Sequence, residues 1–152
     1  MKKLYFFLLA MILPVAIWAQ APSAYSLRIQ NQTPWPQQCV IFGGEVCGPC
    51  ASTYTSMTIM VAPMTTLSYG NSTTLGGSYP PSIPKGIVGA KILNGPAVCS
   101  PGGGTVGQPP CGLPTTYGYV TILPGCTPAG PTKAIWVPAT NCQSTAQLIF
   151  QP

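Results

Sequence analysis

Cys47-Gly48-Pro49-Cys50 puts two thiols two residues apart, a spacing that suits two kinds of chemistry. One is thiol–disulfide exchange, in which one thiolate attacks a disulfide and its neighbour resolves the mixed intermediate. The other is metal ligation, where such a pair contributes two of the four ligands of a zinc site. No second C-x-x-C exists; the remaining cysteines stand singly at Cys39, Cys99, Cys111, Cys126 and Cys142. The chain has no His and no Asp, and Glu45 is its one acidic side chain. A Ser-His-Asp triad is therefore impossible, imidazole and carboxylate metal sites are ruled out, and glycosidic hydrolysis lacks its second carboxylate side chain. The sequence calls for no cofactor and no metal.

The tetrapeptide resembles the active-site motif of thioredoxins. That resemblance implies Cys47 as nucleophile at a helix N-terminus, where the macrodipole favours the thiolate, and Cys50 as resolving thiol. The residues after Cys50 do not supply the helix: Ala51 to Val61 is rich in Thr, Ser and aliphatics in alternation, a strand pattern. Val46 also stands where the family has tryptophan. The cysteines are therefore read as structural disulfide candidates: Cys39, Cys47, Cys50, Cys99, Cys111, Cys126 and Cys142. Cys47, Cys50 and Cys39 are expected in one stapled turn, and Cys99 and Cys111 are placed to close their shared loop. An odd count leaves at least one outside an intramolecular bridge.

The compartment follows from the first residues. Lys2 and Lys3 precede an apolar run from Leu4 to Trp18 that ends at Ala19, the pattern of a secretory signal peptide. Residues 1–19 are thus expected to be removed, leaving 20–152 as a single exported domain, secreted, periplasmic or at the cell surface, in an oxidising compartment that favours disulfides. Beyond the leader the charges are Arg28, Glu45, Lys85, Lys91 and Lys133. Four scattered cations cannot neutralise a phosphate track, so nucleic acid is not an expected partner. No later apolar segment is long enough to span a membrane.

Alternation with period two predicts strands at Tyr25–Gln30, Cys39–Phe42, Ser52–Val61, Thr65–Tyr69, Ile87–Leu93, Tyr117–Leu123, Ala134–Val137 and Thr145–Phe150. The first two are placed to form a hairpin, and Asn94-Gly95 marks a turn. Gly70 to Pro84 and Pro96 to Pro114 read as irregular, because prolines and a Gly102-Gly103-Gly104 run interrupt any ladder. The expected fold is all-β: an antiparallel β-sandwich, Ig-like or similar, with about seven or eight short strands and long Gly/Pro-rich, disulfide-containing loops.

Function then follows by exclusion. The expectation is a non-enzymatic exported surface, adhesion or matrix-type β-domain acting through protein or surface contacts. Neutral-carbohydrate binding through exposed Trp and Tyr is an alternative, with Trp35, between Pro34 and Pro36, as the candidate ligand contact and Trp136 read as core. Thiol–disulfide oxidoreduction through Cys47 and Cys50 is another. Self-association is expected if the uncharged Thr145–Phe150 or Ser52–Val61 strand lies at a sheet edge. The sequons Asn31-Gln32-Thr33 and Asn71-Ser72-Thr73 match the glycosylation acceptor pattern.

Overall fold

The computed structural model describes residues 21–99 and 102–152, so the expected signal segment lies outside the described residues. The strands in chain order are β1 (Ser26–Asn31), β2 (Gln37–Gly44), β3 (Tyr54–Thr55), β4 (Ile59–Val61), β5 (Thr66–Tyr69), β6 (Gly86–Leu93), β7 (Gly103–Gly107), β8 (Thr116–Ile122), β9 (Pro128–Val137) and β10 (Thr145–Gln151). They make two five-stranded sheets. The first runs β5-β1-β10-β9-β8, and the second runs β3-β2-β6-β7 with β4 also paired to β2. Among the described residues the helical elements are two 3-10 turns, Ser72–Thr74 and Pro109–Cys111. No helix among them is long and apolar enough to cross a membrane.

The alternation seen in the sequence is what builds the two layers. In β1, Leu27 and Ile29 are fully buried while Ser26, Arg28 and Gln30 face outward. In β10, Ala146, Leu148 and Phe150 point inward beside them. From the second sheet Ile41, Ile87, Ile92 and Val106 meet them in one continuous core, with Trp136 of β9 at 1% exposure. Each of the Leu, Ile, Val and Phe side chains among them contributes about 1.5–3 kcal/mol on leaving water.

Several expectations are corrected. The sandwich is not wholly antiparallel, since β1 and β10 pair in parallel, Arg28 opposite Gln147. The first two strands do not form a hairpin: β1 joins the first sheet and β2 the second. The crossover between them is fixed by the Asn31 amide, which donates to the carbonyls of Trp35, Val61 and Ala62. Ser52–Val61 is not one strand, because Ser56 interrupts it. Its backbone N–H donates to the Ile41 carbonyl and its hydroxyl accepts from the Ile41 N–H, so both bonds close on one residue of β2.

The Gly-rich stretch after Cys99 does form a ladder, β7, along β6. Glycine is required there by close approach: a Cβ on Gly104 would lie 2.3 Å from the Tyr117 ring. Strand β9 is longer than expected and begins at Pro128. Its pairing with β10 starts only at Lys133, so Pro128 and Pro131 sit where the strand has β8 alone as neighbour and a missing N–H is tolerated.

Candidate functional site

The cysteines pair over long distances. Cys47 bonds Cys142, Cys50 bonds Cys111, and Cys99 bonds Cys126, with sequence separations of 95, 61 and 27. The β2–β3 loop is therefore tied to both the β9–β10 and the β7–β8 loops, and the β6–β7 loop is tied to the β8–β9 loop. This corrects the expected local staple: Cys47 and Cys50 are neighbours in sequence yet serve different bridges, and Cys99 and Cys111 do not close their loop on each other. Three disulfides place the chain in an oxidising environment.

Cys39 is the unpaired cysteine and no disulfide candidate, because β2 buries it completely in the core. Burial pushes its thiol up to about 12, so it remains a neutral, unreactive apolar group. No helix starts at Cys50; three irregular residues lead directly into β3. Neither thiol of the motif is free in this state, and neither has the helix N-terminus that activates a redox cysteine.

Trp35 is half-buried and committed to packing. Its indole N–H donates to Thr132 Oγ1 at 3.2 Å, and its ring lies where a Cβ on Gly130 would be, 2.8 Å from Cη2. It borders a buried polar cluster that joins the two sheets. Gln37 Oε1 accepts from the Tyr119 hydroxyl at 2.6 Å, while Nε2 donates to Thr33 Oγ1 at 3.0 Å and Thr121 Oγ1 at 3.1 Å. Desolvation raises the Tyr119 phenol well above its ordinary value, so it acts as a neutral donor. The aromatic side chains of the described residues are buried or half-buried, Trp35 and Phe42 among the half-buried. Asn31 of the first sequon is 2% exposed, with its nitrogen bonded to three carbonyls, which withholds it from modification in the folded chain.

Two outward faces remain. On the second sheet Val40, Phe42, Ser52, Thr55, Lys91 and Thr105 line a trough of about 320 Å³. The tip of the Phe42 ring reaches Gly89, where a Cβ would sit 2.8 Å from its Cζ. Beyond Phe42 a smaller hollow of about 170 Å³ reaches the Cys50–Cys111 bridge and Leu113.

On the first sheet a cleft of about 410 Å³ opens around Arg28, lined by Ser26, Ser68, Tyr69, Thr145 and Gln147. The pairing of β1 explains the convergence. Arg28 is registered with Ser68 on one side and Gln147 on the other, all on the outward side of their strands, and Ser26 pairs with Thr145 through a 2.6 Å hydroxyl contact. With the Gln30 amide oxygen turned toward Arg28, that oxygen accepts from Nε and Nη2 at 3.0 Å each, which fixes the guanidinium plane. The remaining edge has no carboxylate, because the ion pair among the described residues joins Lys85 to Glu45 at 2.7 Å elsewhere. The strand was legible in the sequence; the cleft was not, since Ser68, Arg28 and Gln147 meet only through non-local pairing. Compared with protein-family models, with curated proteins and with solved structures, the chain matches none.

Proposed function

We propose that this chain is an exported, non-enzymatic binding domain on an Ig-like or similar β-sandwich, acting through its surface, with the Arg28 cleft as the point of contact. A chain without His or Asp, whose motif cysteines are held in separate bridges, has little with which to move protons or electrons. One observation carries the reading: an oriented guanidinium with an open edge, surrounded by hydroxyl and amide groups on a rigid sheet face. An Arg fork held in plane recognises a planar anion with geometric specificity that a flexible lysine lacks.

The test is retention of the oxidised protein on carboxymethyl agarose against unmodified agarose. Arg28→Gln is compared with Lys133→Gln, which removes the same charge about 16 Å away on the same face. Arg28→Gln is expected to elute at clearly lower salt than Lys133→Gln. Equal elution of the two variants would reduce the binding to net charge and sink the proposal.

A further inference from the structure

We infer that the Arg28 cleft takes a saccharide unit bearing a carboxylate, a uronate-type sugar. This rests on the reading of the cleft as the contact site and names its ligand. The charge defines one half of the ligand. The open edge of the guanidinium accepts a carboxylate in a bidentate pair, and no acid among the described residues competes for it.

The walls define the other half. Ser68 and Gln147 each offer both donor and acceptor atoms on the outward face, and the Ser26–Thr145 hydroxyl pair, with one proton spent between the two, adds one donor and further acceptor lone pairs, the complement of a ring carrying neighbouring hydroxyls. The volume of about 410 Å³ is in the range of small-ligand sites. An extended peptide fits less well. Strand β1 is hydrogen-bonded on both sides, to β5 and β10, so the cleft offers no ladder edge to a peptide backbone. The outward side chains registered around Arg28 are Ser68 and Gln147, with Ser26 and Thr145 one step along their strands, and none of these is an apolar socket. A neutral sugar would form no charge-assisted pair with the guanidinium, and a bare carboxylate would leave the hydroxyl walls unused.

The experiment is an amide-shift NMR titration of the oxidised protein with D-glucuronate, D-glucose, acetate and inorganic phosphate at matched ionic strength. The expected result is saturable change confined to the amides of 26–30, 66–70 and 145–149. Glucuronate should bind about tenfold more tightly than glucose or acetate, with loss in Arg28→Gln, weakening in Arg28→Lys and no change in Lys133→Gln. Acetate or phosphate binding the cleft as tightly as glucuronate would overturn the saccharide inference while leaving Arg28 as an anion contact. No cleft shift with any probe, together with equal retention of the two charge variants, would remove the contact site itself.

Discussion

The loops and the face around Arg28 are held in place by different physics. The β2–β3, β6–β7, β7–β8, β8–β9 and β9–β10 loops, most of them punctuated by Gly and Pro, are joined by Cys47–Cys142, Cys50–Cys111 and Cys99–Cys126. The strands that build the cleft, β5, β1 and β10, carry no disulfide and are positioned by ladder hydrogen bonds and by Leu27, Ile29, Ala146 and Leu148 beneath them. Covalent closure serves stretches that bury too little apolar surface to order themselves, whereas a half-buried strand needs only its neighbours. The six bridged cysteines, among the most conspicuous residues of the sequence, are therefore scaffold, and the proposed contact is an arginine in an ordinary strand.

Removing a bridge gives the largest expected effect. The double substitution Cys50→Ser/Cys111→Ser opens a closure spanning 61 residues and is expected to cost about 2–5 kcal/mol in urea unfolding, with loss of order around Ala51 and Leu113. The amide shifts of β1 and β10 should stay in place. If those strands shift as much as the loops, the two regions are not independently built.

Gln37 gives a smaller effect at the seam between the sheets. Gln37→Leu leaves the Tyr119 hydroxyl without its acceptor and removes the donor to Thr33 and Thr121, which is expected to cost about 1–3 kcal/mol. A stability equal to the parent would mean that the cluster is replaceable by packing alone.

Cys39 sets the lower end of the scale. With its thiol pushed up to about 12 by burial, it should take up no iodoacetamide in the native protein and one equivalent after unfolding, read by intact mass. Labelling of a different cysteine would overturn the connectivity on which the comparison rests.

What was legible and what was not divide along the same line. Period-two alternation exposes β1, β2 and β10, because one face of each is buried and the pattern is local, while β6, buried on both faces over Gly86–Ala90, shows as a short apolar run. Strand β7 was hidden because its glycines, ordinarily breakers, are demanded by Tyr117 and Leu113 lying against the backbone. The break at Ser56 was hidden because a serine in an alternating run looks like any other polar position. Of the two uncharged stretches whose edge position would open strand addition, Thr145–Phe150 is internal, since β10 lies between β1 and β9, whereas β3, from Ser52–Val61, ends the second sheet, with Met57 exposed between β3 and β4. Disulfide pairing and the cleft belong to contacts between distant segments, which spacing in one chain does not encode.

The central claim is that binding resides in the strand-built cleft and not in the cysteine-pinned loops. Its most direct test sets Arg28→Gln against Cys50→Ser/Cys111→Ser on carboxymethyl agarose, at a temperature where circular dichroism shows both folded. The account predicts that the bridge-deleted protein elutes with the parent while Arg28→Gln elutes at lower salt. Parent-like retention of Arg28→Gln with loss in the bridge-deleted protein would contradict it.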